Sequence, residues 1–269
     1  MICRAGFFVL SKFSIRMKKR FFTILLLFFV INGFGQKPVQ KWKKHDLPAA
    51  DKISELNNSA ASWLLSLDSS GQVIAQSRVG TAPSADELPF KLYFDTLKSY
   101  SWKGFRTVKK VDNGYLVGFN KGEFGGSLYW FSENGDSSYQ ISRTIVIYIF
   151  EYKKKVYMAS GLFHKNQDRG GINEMKFTDD KWKVDQGVEL PSKPDIIMPY
   201  KDRMLIITTR AILFFDGTSN FDFVKKDGFW DVLYPQSAVI LNDDLFVGMR
   251  GGVYKINLSS KQEEWLTPK

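Results

Sequence analysis

The C-terminal stretch Leu245-Phe-Val-Gly-Met-Arg-Gly-Gly-Val-Tyr-Lys-Ile-Asn-Leu258 decides the fold. It contains a short apolar strand, a tight turn at Gly251-Gly252 and a second strand in which apolar and polar residues alternate. Glycine supplies the positive φ angles of a two-residue turn without steric cost, and β-branched and aromatic residues suit a pleated, half-buried surface. The stretch therefore predicts a β-hairpin.

Three upstream segments repeat this hairpin in a weaker form. First strands begin at residues 116, 157, 205 and 246, so the units are 41, 48 and 41 residues apart. Each unit has a further apolar strand before the hairpin and another after it. Four strands per unit at this period are typical of propeller blades, whereas helical solenoids have a 3.6-residue periodicity.

The repeats predict an all-β fold, a β-propeller with five blades of four antiparallel strands, over residues 59–269. Residues 59–104 lack the double glycine and are expected to form a diverged first blade. A β-sandwich is the alternative. Because an open ring would leave exposed strand edges, a strand from the N-terminal region is expected to pair inside the last blade and close the ring.

Residues 1–35 have the organisation of a secretory signal peptide. Lys18-Lys19-Arg20 is a basic segment, Phe21–Ile31 is an apolar segment, and the small residues Gly33 and Gly35 precede the expected cleavage site. The apolar segment is short for a bilayer span. The sequence therefore predicts a cleaved leader and a periplasmic or secreted protein, with a retained membrane anchor as the alternative.

Met17 directly precedes the basic triplet, so translation is expected to begin there. Residues 1–35 hold six basic and no acidic residues, so the remaining chain has 32 basic and 28 acidic residues, a net charge of +4. This charge is too small to indicate a nucleic-acid partner. The single cysteine, Cys3, is removed with the leader, which excludes a disulfide. Residues 36–58 are polar and basic and are expected to be a linker, with one or two helical turns from Asp51 to Asn58.

One unit resembles a kelch repeat. Its Gly251-Gly252 pair is followed thirteen residues later by Trp265. The stretch Leu233–Ser237 with Phe246–Val253 is also similar to secreted bacterial propeller proteins that have no assigned activity. Other units depart from the kelch pattern, since Arg210-Ala211 replaces the glycine pair. The resemblance covers about residues 105–266 and implies a propeller, with no catalytic residues to transfer.

Catalytic motifs are sparse. The sequence has no phosphate-binding loop, no His-Glu-x-x-His, no Gly-x-Ser-x-Gly and no Cys-x-x-Cys. The candidates for acid, base or nucleophile are acidic residues that equivalent loops could bring to one rim, and one loop histidine, namely Glu123, Asp168, Asp231 and His164. Surface acids and loop histidines are common, so these residues indicate an enzyme only weakly. No metal site and no cofactor are predicted.

Aromatic residues beside arginines give the stronger functional signal, because they make up binding hot spots and sugar-stacking platforms. The binding candidates are Phe229, Trp230, Tyr234 and Arg250, together with Arg169 in the longest predicted loop, Gly161–Gly170. In the alternative interpretation these aromatic residues only fill the ring or cover a blade edge.

The leading functional hypothesis is an exported, non-enzymatic propeller that binds a protein or a glycan in the cell envelope. The alternatives are a carbohydrate-active enzyme, a glycoside hydrolase or lyase, and a structural domain of an envelope assembly. Neither a nucleic-acid partner nor a membrane span after leader cleavage is expected.

Overall fold

The computed structural model describes residues 38–78, 88–92, 104–165 and 167–269. The described chain is almost entirely β-structure, arranged as four antiparallel sheets of four or five strands and one hairpin. This confirms the all-β, propeller prediction, and the four sheets plus the hairpin agree with five blades. We number the four sheets as blades two to five and assign the hairpin to the first blade.

In each of blades two to five, four strands follow one another along the chain and form a meander. The hairpin of the first blade is β2 Ser62–Leu67 and β3 Val73–Arg78. Blade two is β4 Phe105–Val111, β5 Gly114–Asn120, β6 Gly126–Phe131 and β7 Ser138–Ser142. Blade three is β8 Val146–Tyr152, β9 Lys155–His164, β10 Gln167–Thr178 and β11 Lys181–Leu190.

The last two blades have shorter strands. Blade four is β12 Pro194–Tyr200, β13 Arg203–Thr208, β14 Ile212–Phe215 and β15 Asp222–Lys225. Blade five is β16 Ser237–Leu241, β17 Asp244–Met249, β18 Gly252–Asn257 and β19 Glu263–Thr267. The prediction that residues 59–104 form one whole blade stays a prediction, because residues 79–87 and 93–103 lie outside the described residues.

Consecutive blades are held together by apolar side chains from facing sheets. Leu116 of blade two packs with Val146 and Met158 of blade three, and all three are buried. Blades three and four share a second cluster, blades four and five share a third, and blade five and the first hairpin share a fourth. Burial between sheets, rather than within any one sheet, therefore stabilises the fold.

The segment expected to be a linker is instead part of the last blade. A 3-10 helix at Val39–Lys41 and the strand β1 Lys43–His45 precede the helix α1 Ala50–Asn57. β1 pairs antiparallel with β19 and adds a fifth strand to the blade. An N-terminal strand thus pairs with the last blade, as expected, but it does so at the sheet edge and not inside the blade. β1 has only three residues, all exposed, two of them lysines, and short charged edges resist further pairing.

The ten-residue loop predicted at Gly161–Gly170 is wrong. β9 continues to His164 and β10 begins at Gln167, and the pairs His164↔Gln167 and Phe163↔Asp168 extend the ladder. The ladder between β9 and β10 continues through this stretch, so the extra residues lengthen the hairpin. We call this extension, residues 161–165 and 167–170, the tongue.

The paired glycines of the repeat have two different roles. Gly251 lies in the two-residue turn of blade five with a φ of 81°, as predicted, but its turn partner is Arg250, because Gly252 already pairs with Met249 as the first residue of β18. Gly126 and Gly170 lie in strands instead. A Cβ built on Gly126 would be 2.6 Å from the carbonyl oxygen of Thr144, and one on Gly170 would be 2.3 Å from that of Ser192. These glycines let the links between blades pass close to the hairpins.

Candidate rim site

One end of the propeller carries all the predicted site residues. It is formed by the hairpins between the second and third strands of the blades and by the links between blades, and we call it the hairpin rim. Backbone hydrogen bonds connect these two kinds of segment, from Thr209 N to Lys193 O (2.8 Å) and from Arg250 N to Leu233 O (2.8 Å). The rim is therefore a continuous backbone network and not a set of separate loops.

Polar side-chain contacts fix the tongue to the blades on both sides. His164 Nε2 lies 2.7 Å from Glu123 Oε2 of blade two. On the other side, Arg210 Nε of blade four lies 3.5 Å from Asp168 Oδ2, and the same guanidinium reaches Asp231 Oδ2 at 3.4 Å. The four catalytic candidates thus form two separate groups, Glu123 with His164, and Asp168 with Asp231 through Arg210.

A buried carboxyl lies beside the second group. Asp195 pairs with Lys193, whose backbone N–H donates a 3.0 Å hydrogen bond to Asp168 Oδ1. Burial raises the pKa of the Asp195 carboxyl, and the neighbouring Lys193 ammonium opposes this shift. Both oxygens of Asp168 are therefore engaged, one by the Lys193 amide and one by Arg210. This geometry suits a residue that holds the tongue in place.

The aromatic candidates of the link before blade five are mostly part of the core. Trp230 is fully buried, and its indole Nε1 donates a 2.9 Å hydrogen bond to Thr208 O. Phe229 is partly buried and contacts the rings of Trp230, Tyr254 and Trp265 edge to face, at centroid distances of 5.6–5.8 Å. The link therefore seals the contact between blades four and five.

The helix α1 is bound to Arg250, a binding candidate of blade five. Arg250 donates hydrogen bonds of 2.8 and 2.7 Å to the carbonyl and side-chain oxygens of Asn57 at the end of α1. Its guanidinium also lies 4.9 Å from the ring of Tyr234, and Leu56 packs over Gly251. Tyr234 is still 43% exposed. Arg250 thus anchors α1 to the rim.

We expect Arg250→Ala to lower the free energy of unfolding by about 1–3 kcal/mol, because two hydrogen bonds to a charged group are lost and α1 is released. Urea denaturation followed by circular dichroism measures the change. Arg169→Ala is the matched control, since Arg169 is exposed, and its midpoint should not move. Equal midpoints for both variants would show that α1 is not held by Arg250.

A pocket of about 840 Å³ lies on the rim between blades two and three. Its walls come from the β5–β6 hairpin and the link after β7 on one side, and from the tongue and the end of β11 on the other. We call it the rim pocket. Glycines and small polar residues make up much of its lining, which comprises Lys121, Phe124, Gly125, Gly126, Ser127, Gln140, Arg143, Thr144, Ile145, Ser160, Gly161, Asp168, Arg169, Gly170, Gly171, Glu189 and Leu190.

Only two of the sequence-predicted site residues, Asp168 and Arg169, line the rim pocket. Sequence reasoning missed Phe124, which is 69% exposed, and Arg143, which is also exposed. A usable signal existed for the first, because Phe124 lies in the shorter equivalent of the tongue, next to a glycine pair. Arg143 lies in a three-residue link, and nothing in so short a segment distinguishes it from an ordinary turn.

No protein-family model matches the chain, and no curated protein sequence matches it significantly. Solved structures of similar fold exist. Virginiamycin B lyase from Staphylococcus aureus is 13% identical, with a TM-score of 0.41, over 85% of this chain and 75% of that chain. The extracellular domain of a protein named as a hybrid two-component system from B. thetaiotaomicron is 12% identical, with a TM-score of 0.40.

The chain spans 30% of that extracellular domain, and it spans 45% of the computationally designed Ika8 protein, to which it is 10% identical with a TM-score of 0.35. These neighbours are propeller-type folds. Fold and site together define the class of this protein as a β-propeller with a pocket on its hairpin rim.

No helix in the described ranges is long and apolar enough to cross a membrane. No group of three or more His, Cys, Asp or Glu residues in the same ranges is placed to hold a metal ion.

Proposed function

We propose that this protein is an exported, non-enzymatic β-propeller that binds a glycan in the rim pocket. The observation that carries the proposal is the pocket itself, with its volume of about 840 Å³ and the exposed ring of Phe124 among its lining residues. Pockets of roughly 300–1,000 Å³ hold small organic ligands. The export part rests on the leader-like residues 1–35.

The lining chemistry favours a sugar over a flat apolar partner. Gln140, Thr144 and Ser160 offer amide and hydroxyl groups, and Phe124 offers an aromatic face. Sugars present both hydroxyl groups and an apolar C–H face, so they are bound by hydrogen bonds together with aromatic contact. A protein partner would instead be expected on a broader and flatter surface.

The carboxylates support binding rather than hydrolysis. A glycosidase needs two carboxyl groups on either side of the scissile bond. Of the predicted acids, only Asp168 lines the rim pocket, and both of its oxygens are already engaged. Glu189 is the other carboxylate of the lining, so the rim pocket offers one uncommitted carboxylate where two are required.

Isothermal titration of the purified protein with a set of neutral and acidic trisaccharides tests the proposal. We expect at least one sugar to bind, and we expect Phe124→Ala to weaken its affinity by about tenfold through loss of the aromatic contact. Phe177→Ala is the matched control, because Phe177 is 46% exposed and lies at the opposite end of blade three.

Three results would overturn the proposal. If no sugar binds, the rim pocket is not a glycan site, and crosslinking to an envelope protein becomes the next test. If a sugar binds equally well to the Phe124→Ala variant, the site lies elsewhere. If the sugar is cleaved during incubation, the protein is an enzyme.

A further inference from the structure

Two arginines line the rim pocket without a protein partner. Arg143 and Arg169 are both exposed, and within the described part of the chain neither guanidinium has a hydrogen bond or an ion pair. The contrast with two other rim arginines is clear, since Arg210 pairs with two carboxylates and Arg250 binds Asn57. The two pocket guanidinium groups are therefore available to a ligand.

The two arginines belong to opposite walls. Arg143 lies in the link that follows β7 of blade two, and Arg169 lies in β10 of blade three. Lys121 is the third cation of the pocket lining and lies on the blade-two wall. A ligand held between the walls can thus be contacted by a cation from each blade. A planar guanidinium binds a carboxylate through two parallel hydrogen bonds, which gives both affinity and orientation.

The acidic residues of the rim pocket do not cancel this charge. Asp168 is already paired with Arg210 and with the Lys193 amide. Glu189, exposed at the end of β11, remains as the one uncommitted carboxylate of this lining against the two guanidinium groups. A sugar with a carboxylate on its ring satisfies this arrangement, because the carboxylate can pair with the guanidinium groups while the sugar hydroxyl groups donate to Glu189.

We propose that the rim pocket selects sugars that carry a carboxylate, as hexuronic acids do, and that Arg143 and Arg169 bind that carboxylate. This inference rests on the proposed glycan binding and adds the class of sugar. The affinity for such a sugar is expected to fall as the salt concentration rises, because salt screens the attraction between charges.

The test compares trigalacturonate with its trimethyl ester, which keeps the ring structure and loses the charge. Titration calorimetry should show that the acid binds at least about tenfold more tightly than the ester, and that Arg143→Gln and Arg169→Gln each weaken the acid by about tenfold or more. Neither substitution should change the affinity for the ester. Lys110→Gln is the control, because it removes one exposed charge from the far end of β4.

The two possible failures are distinguishable. If the ester or a neutral trisaccharide binds as tightly as the acid, and the arginine variants bind normally, glycan binding stands and the carboxylate preference is wrong. If the wild-type protein binds none of these sugars, both proposals fall. If Lys110→Gln weakens the acid as much as the arginine variants do, the effect comes from net charge, and the assignment of Arg143 and Arg169 is overturned.

Discussion

Replacing Trp42 with alanine is expected to lower the free energy of unfolding by about 3–5 kcal/mol. Trp42 follows the 3-10 helix and directly precedes β1. It is 8% exposed, and its ring contacts that of Trp63 edge to face at 4.8 Å. It belongs to the cluster in which the N-terminal segment, the first hairpin and blade five meet. Its removal leaves a cavity at the contact that keeps β1 on β19.

Urea denaturation followed by circular dichroism measures this effect without depending on tryptophan fluorescence. Lys43→Ala is the control, because Lys43 is an exposed neighbour on β1, and such surface changes usually stay within about 0.5 kcal/mol. A Trp42→Ala protein with the wild-type midpoint would contradict the structure at this point. It would mean that residues 38–45 do not contribute to the stability of blade five.

The strand pattern could be predicted from the sequence because a four-stranded meander is a local arrangement. Each blade pairs strands that are consecutive in the chain, so apolar strand patterns recur in every unit, and in blade five a turn glycine, Gly251, separates two of them. That an N-terminal strand pairs with blade five could be expected only because an open ring leaves strand edges exposed. The strand itself could not be located, since β1 pairs with residues more than 200 positions away. The sequence Lys43-Lys44-His45 has no strand pattern of its own, and its partner in the ladder supplies the conformation.

The tongue was mispredicted because the extra residues of this unit were assigned to an irregular loop and not to longer strands. Residues 161–170 contain two glycines, Gly161 and Gly170, and glycines usually mark turns. Here Gly170 lies in a strand, where it makes room for the backbone of Ser192. A glycine that serves close approach is indistinguishable from a turn glycine until the neighbouring segment is known, and that neighbour comes from the next link along the chain.

The candidate site was only partly predictable for a related reason. The sequence indicates which side chains are aromatic or charged, but not which of them have partners. Nothing in the sequence distinguishes Arg250 from Arg169, yet the first binds Asn57 and the second is exposed in the rim pocket. The uncommitted arginines became apparent only when the partners of the others had been assigned.

Replacing Trp230 with alanine is expected to destabilise the protein by about 3–5 kcal/mol. From the sequence alone, Trp230 could belong either to the core or to a binding site. The ring is fully buried between blades four and five, 5.2 Å from the ring of Tyr254, and its Nε1 donates to Thr208 O at 2.9 Å. Alanine removes this contact area and the hydrogen bond together. Thermal and urea unfolding should both show the loss.

Two further variants separate a core role from a binding role. Trp230→Phe keeps most of the ring volume and loses the indole donor, so about 1–2 kcal/mol should be lost instead. Tyr234→Ala, four residues along the same link and 43% exposed, should leave the unfolding midpoint close to that of the wild type. A Trp230→Ala protein that keeps its stability and loses ligand affinity would place Trp230 in a binding site. Unchanged sugar binding in a destabilised but still folded variant would instead confirm that the link before blade five is core, and that the ligand surface lies between blades two and three.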